Sequence, residues 1–199
     1  LRDRQEIYQG MIVMADLSHL RVAVLATDGF EEAELTEPVK ALQAAGARVD
    51  ILSNKTGEIQ AFQHHEKSTT VSVDRLLDEA QPDEYDAVLL PGGALNTDTL
   101  RAEPNVKTFL QQMQEAGKPF AIICHAAWEL ISANLVQGRT LTSYYTIQDD
   151  VRNAGGNWID QDVVIDQNWV TSRQPDDIPA FNQALLKVFS QFAPAISNS

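Results

Sequence analysis

The chain of 199 residues has one cysteine, Cys124, and a histidine follows it directly, His125. A thiol becomes a potent nucleophile when its surroundings favour the thiolate, as backbone N–H groups at the positive end of a helix do. Phe120 to Ile123 form an apolar run behind the turn signal Gly117-Lys118-Pro119, and such a run reads as a short buried strand. Ala126, Ala127, Glu129 and Leu130 then favour a helix, which places Cys124 at a strand-to-helix corner. His125 could serve as the base. Adjacent side chains ordinarily point apart, so the pair requires an unusual backbone at that corner. The competing reading of a lone cysteine is a small buried hydrophobe. The corner and the neighbouring histidine favour the nucleophile.

The elements that must position this pair alternate between strand and helix. Arg21 to Thr27 is a strand ending at the turn dipeptide Asp28-Gly29, and a helix follows on Leu35, Val39 and Leu42, with Pro38 in its first turn or kinking it. Arg48 to Ser53 is the next strand, so the three make a parallel crossover unit. Residues 54 to 70 read as a loop or short hairpin. Their adjacent His64 and His65 lack the spacing of a metal site. A short strand and a helical turn are expected over Val71 to Ala80. Tyr85 to Leu90 is a buried strand running into Pro91-Gly92-Gly93, whose glycines let backbone amides approach a ligand closely. Val106, Phe109, Leu110 and Met113 mark a core-facing helix.

Downstream, a strand is expected near Arg139 to Tyr145, a short helix over Ile147 to Ala154, a hairpin around Asp166-Gln167-Asn168, and a final helix from Ile178 to Phe192. The pattern predicts an α/β domain with a mostly parallel sheet covered by helices on both faces. Ligands of such sheets bind at the carboxyl ends of the strands. Asp28 to Glu31, Pro91 to Gly93 and Cys124-His125 all fall at such ends and should converge.

Composition narrows the partners. With 28 acidic and 15 basic side chains the formal charge is −13, which repels phosphate backbones and anionic lipid, so neither nucleic acid nor a membrane is expected. A hydrophobic content of 44% with 22% charged residues suits one globular domain. One cysteine permits no internal disulfide, which suits a reducing, cytoplasmic setting. Residues 1–19 read as an N-terminal extension, 20–193 as the domain, and 194–199 as a polar tail.

Together LATDGFEEAEL, VLLPGG with NTDTLR, AIICHA, TSYYTIQDDVRNAGG and WVTSR resemble the PfpI-type intracellular cysteine peptidases. That family lies in the superfamily of the parkinsonism-associated deglycase protein, with a flavodoxin-like three-layer sandwich similar to class I glutamine amidotransferases. The resemblance implies Cys124 as nucleophile, His125 as its partner, and Glu31 as the glutamate on the sulfur. A carboxyl there can donate to a thiolate only when protonated, so its pKa should be raised. Without the motif Glu31 would pass for a solvated helix-start carboxylate. The backbone N–H groups of Gly93 and His125 become the oxyanion donors, and Gly92 and Tyr144 line the pocket. Asp98 becomes the acid that orients His125 across a subunit interface, or, given one extra residue after Gly93, Thr97 occupies that place instead. That arrangement implies a homodimer or higher oligomer. No metal or cofactor is implied.

Three functions follow. The first is a cysteine hydrolase acting on small peptides. The second is a cofactor-independent glyoxalase or deglycase acting on methylglyoxal or its adducts, and the third is a redox-sensing stress protein built on the same thiol. An amidotransferase fits less well, because Ile122, His125 and Ala126 stand where that nucleophile turn carries glycines.

Overall fold

The computed structural model describes residues 15–192, so the remainder of the expected extension and the polar tail lie outside the described residues. Ala15 to His19 do not trail away from the domain: Leu17 is fully buried and its N–H donates to Ala45 O at 2.8 Å.

The seven-stranded sheet contains β1 (Arg21–Leu25), β3 (Arg48–Ser53), β6 (Arg75–Leu76), β7 (Ala87–Leu90), β8 (Phe120–Ile123), β11 (Val163–Asp166) and β12 (Trp169–Ser172), in the order β11-β12-β8-β7-β1-β3-β6. All neighbours are parallel except β11 and β12, the expected hairpin. From β1 the chain first builds outward to β3 and β6, then returns to build β7, β8 and β12 on the other side. The strand order therefore reverses between β1 and β7, which leaves a crevice at their carboxyl ends.

Period-two alternation splits the core. Val22, Val24, Leu89 and Ile123 pack against Leu35 and Leu42 of α1 (Glu32–Ala44) and Phe181 and Leu185 of α6 (Ile178–Gln191). Ala23, Leu25, Val88 and Ile122 face the other way, toward Leu100 of α2 (Ala94–Ala102), Phe109 and Met113 of α3 (Pro104–Glu115), and Leu130 of α4 (Ala127–Ser132). Strands buried on both faces explain why AVLL and FAII read as unbroken apolar runs.

Two regions differ from expectation. Residues 54–70 are more ordered than a loop, because β4 (Glu58–Gln63) and β5 (Glu66–Ser72) form a hairpin that pairs with β2 (Phe30–Glu31) in a separate three-stranded sheet. The strand expected over Arg139 to Tyr145 is limited to β9 (Thr140–Leu141), paired with β10 (Asn157–Trp158), before a helical turn leads into α5 (Gln148–Asn153).

One buried side chain opposes stability. Glu129 of α4 is fully buried and neither carboxyl oxygen has a hydrogen-bond partner among the described residues; burial pushes its pKa well above the ordinary range. The folded state thus holds a proton that the unfolded chain releases above its ordinary carboxylate pKa, and stability falls as pH rises past that point. Glu129→Leu is expected to stabilise the domain by about 1–3 kcal/mol near neutrality, with a larger gain at pH 8 than at pH 5. Urea unfolding at the two pH values checks both the sign and the trend.

Candidate active site

Three loops at the crevice are bound to one another. The Glu31 N–H donates to Gly92 O at 3.3 Å, and the Tyr144 N–H donates to Cys124 O at 3.1 Å. Asn96, fully buried in α2, is the central brace: its Oδ1 accepts from Thr27 N–H at 2.7 Å, and its Nδ2 donates to Pro91 O and Gly92 O, each at 3.1 Å. Loops from β1 and β7 are thereby held as one rigid floor. Sequence reading gave Asn96 no role, because nothing but the fold shows that its amide reaches 69 residues back along the chain.

Cys124 sits in the expected corner, as the first residue of a helical turn between β8 and α4. Its φ of 63° lies in the left-handed region, which costs a side-chain-bearing residue on the order of 1–3 kcal/mol. That backbone answers the objection to a neighbouring pair: the sulfur turns back so that His125 Nδ1 lies 3.1 Å from Sγ. Tyr144 stacks on the imidazole with ring centroids 4.7 Å apart, and Trp128 meets it edge-on at 5.2 Å. Partial burial lowers the pKa of His125, so the ring is neutral near pH 7 and able to accept a proton.

The glutamate facing the sulfur is Glu34, and the expectation of Glu31 is corrected here. Glu31 is the N-cap residue of α1, and its Oε2 accepts the His64 N–H at 3.0 Å, tying the β4–β5 hairpin to the helix start. One turn further on, Glu34 belongs to the buried face of α1 with Leu35, Pro38 and Leu42. Its Oε2 accepts the Gly92 N–H at 2.8 Å, and the carboxyl faces the Cys124 thiol closely enough to hydrogen-bond with it and for each group to shift the other's ionisation. Burial, reinforced by the charge of Glu31, pushes Glu34 up to about 8. The spacing 34, 38, 42 was a readable signal. It was masked because glutamates crowd a helix start and Glu31 is the first of them in the motif.

Gly92 is required by this contact: a methyl group there would overlap Glu34 Oε2 and lie 2.6 Å from Cys124 Cβ. Gly93, with φ of 90°, turns the loop so that its N–H and that of His125 both reach the sulfur and favour the thiolate. Burial and then the nearby Glu34 charge act in the opposite direction and push the Cys124 thiol up. The expectation that the corner alone makes the sulfur anionic is therefore not met. A neutral His125 beside a thiol supplies the missing step, since it can take the proton as the sulfur attacks.

Asp98 is exposed on α2 and does not line the cleft, while Thr97 is buried with its hydroxyl donating to Gly93 O at 3.1 Å. Neither meets His125 within one chain. The cleft above Cys124 holds about 630 Å³, and His64 and His65 from the hairpin tip form part of its wall. Among the described residues no three His, Cys, Asp or Glu side chains gather as a metal site.

Residues 20–188 match the DJ-1/PfpI family. The chain belongs to that family. It is 41% identical over 169 residues to a protein named deglycase TK1284 from Thermococcus kodakarensis, covering 85% of this chain and 99% of the relative. It is 42% identical over 169 residues to protein/nucleic acid deglycase 2 of Escherichia coli, covering 84% and 96%. YraA of Bacillus subtilis, whose name proposes a cysteine protease, is 39% identical over 168 residues, covering 84% and 97%. The fold superposes on Schizosaccharomyces pombe DJ-1 with a TM-score of 0.76 over 90% of this chain and all of that one, at 21% identity. Among the described residues no helix is long and apolar enough to cross a membrane.

Proposed function

We propose that this protein is a cofactor-independent deglycase or glyoxalase, acting on methylglyoxal or its adducts with amines and thiols. The observation that carries this reading is the neutral, buried Glu34 whose carboxyl faces the Cys124 thiol. Peptide hydrolysis needs a nucleophile, a base that returns its proton to the leaving amine, and an oxyanion site. Conversion of a ketoaldehyde to a hydroxy acid needs in addition a group that carries a proton between adjacent carbons. Glu34 is placed for that task. The names of the relatives at about 40% identity also favour this reading over the peptidase one.

In the reading proposed, Sγ forms a bond to the aldehyde carbon as His125 Nδ1 takes the thiol proton, giving a hemithioacetal whose oxygen is met by the Gly93 and His125 N–H groups. With an aminocarbinol adduct the C–N bond breaks as C–S forms, and the proton held by His125 leaves with the amine. Protonated Glu34 then gives its proton to the ketone oxygen and takes the one on the former aldehyde carbon, forming an enediol; it next gives a proton to the former ketone carbon and takes that of the first carbon's hydroxyl, ending protonated as it began. This oxidises the first carbon, reduces the second, and leaves a lactoyl thioester. Water cleaves the thioester to lactate and regenerates the thiol, so no external oxidant or reductant enters. The second nitrogen of the His125 ring, without a partner among the described residues, and the exposed Asp98 suit an acid delivered in trans by a second copy.

Wild-type protein incubated with methylglyoxal is expected to release lactate. Because Cys124 is the only thiol, prior iodoacetamide treatment should abolish that release with a single added carbamidomethyl group. Cleavage of a casein-like peptide without lactate formation would replace this reading by the peptidase one.

A further inference from the structure

The imidazole of His125 is held by little polar contact. Among the described residues its one hydrogen-bond partner is Cys124 Sγ, 3.1 Å from Nδ1, and the ring is only half-buried in the cleft wall. A ring so placed has other staggered rotamers open to it, and a base displaced by about 1 Å loses much of its effect on rate. Packing supplies the restraint. Tyr144 lies nearly flat on the imidazole, with 28° between the ring planes, which resists tilting but not sliding within the plane. Trp128, three residues further on in α4, meets the imidazole at 62° and blocks that slide. The indole is itself fixed from three helices. Its backbone belongs to α4, and its Nε1 donates to Asp150 Oδ2 of α5 at 2.7 Å. The Arg101 guanidinium of α2 lies 5.1 Å over the indole, with Nε donating to Ser132 Oγ at 3.0 Å.

From this arrangement we infer that Trp128 is a positioning residue: the indole, tethered by Asp150 and Arg101, keeps His125 Nδ1 on the Cys124 sulfur from within one chain. Trp128 does not line the cleft, so it acts only through the imidazole. Edge contacts between aromatic rings at this separation are directional, which suits them to fixing a ring's attitude and not merely its burial. Alignment matters here because burial has already made the imidazole a weaker base. An acid from a second copy on the remaining ring nitrogen would add to this restraint, not supply it. The inference rests on the proposed function, in which His125 takes the thiol proton, but the ring's alignment can be read on the thiol without turnover.

The test measures the second-order rate at which iodoacetamide alkylates Cys124, the only thiol, as a function of pH. At about pH 7, Trp128→Leu should lower this rate about tenfold, whereas Trp128→Phe, which keeps an aromatic edge, should stay within about threefold of wild type. The deficit of Trp128→Leu should close toward about pH 10, where hydroxide takes the thiol proton in place of the imidazole. A merely structural role would not produce that pH dependence. Asp150→Ala, at an exposed position, frees the indole and should slow alkylation about two- to threefold. A folded Trp128→Leu protein that alkylates at the wild-type rate, a deficit that persists unchanged at high pH, or a phenylalanine variant as slow as the leucine one overturns the inference. If Trp128→Leu loses the folded circular dichroism spectrum, an Asp150→Ala rate equal to wild type overturns it instead. Lactate release from methylglyoxal is followed in parallel, where kcat should fall with the alkylation rate while KM holds. Absence of lactate from the wild type sinks the deglycase reading and leaves the alkylation rates to judge the positioning.

Discussion

Cys124→Ser is expected to cut lactate formation from methylglyoxal by about 10³-fold or more, with the circular dichroism spectrum unchanged. The side chain is 7% exposed and the exchange is nearly isosteric, so the fold tolerates it. The chemistry does not. A serine hydroxyl is far less acidic than a thiol, and the His125 ring that must receive its proton has a basicity already lowered by burial. The thioester that stores the oxidised carbon could form only as a less reactive oxygen ester, which water cleaves more slowly. A variant retaining more than a tenth of wild-type lactate release would show that the reaction passes through some group other than the sulfur.

Much of this site was readable in the sequence, and the parts that were not share a cause. The apolar runs of β7 and β8 and the breakers behind them fix where the strands end, and Gly92, Gly93, Cys124 and His125 follow from those ends by position alone. The doubly covered sheet follows from the same runs, because strands buried on both faces cannot alternate with polar residues. Glu34 required knowing which side of α1 faces the sheet. Leu35, Val39 and Leu42 suggest a stripe offset from the buried one, in which Val39 is only half-buried and Glu34 and Pro38 are inside. A buried glutamate contradicts the hydrophobic pattern used to find the buried face, so the pattern hides the residue that matters most. Asn96 and the hairpin tip at His64 and His65 depend on contacts across many residues of chain, which local spacing does not encode. The thiol's ionisation was misjudged for a related reason: the dipole of the corner is local and visible, whereas the enclosing apolar wall is tertiary.

The strain at Cys124 is consistent with this account. A residue in the left-handed region is retained only where its surroundings over-determine it. Here the Tyr144 N–H on the Cys124 carbonyl, the close approach of Gly92 to Cβ, and the apolar burial of β8 hold the corner together. Relaxing φ would swing the sulfur away from both His125 Nδ1 and the carboxyl of Glu34. The unfavourable backbone is therefore what brings a nucleophile, its base and a proton carrier to one point.

Glu34→Gln should separate the two glutamates and the two enzymatic readings together. The amide keeps the shape and can still accept the Gly92 N–H, but it cannot give up and regain a proton, so kcat for methylglyoxal should fall about 10²- to 10⁴-fold. Glu31→Gln removes only a carboxylate that holds the hairpin backbone, and with an uncharged substrate it should cost less than tenfold. pH adds a second readout. Wild-type activity should decline as pH rises through about 8, where the Glu34 carboxyl loses the proton it must donate. The residual activity of Glu34→Gln should show no such decline, because its amide does not ionise. Stability should move in step: folded Glu34 keeps its proton from the ordinary carboxylate range up to about 8, so it adds a loss of about 1.4 kcal/mol per pH unit in that window to the loss that Glu129 causes, and the glutamine variant should lack only Glu34's share. If Glu34→Gln instead leaves kcat within tenfold and Glu31→Gln abolishes it, the proton passes through Glu31, and the geometry of the buried carboxyl has been given the wrong task.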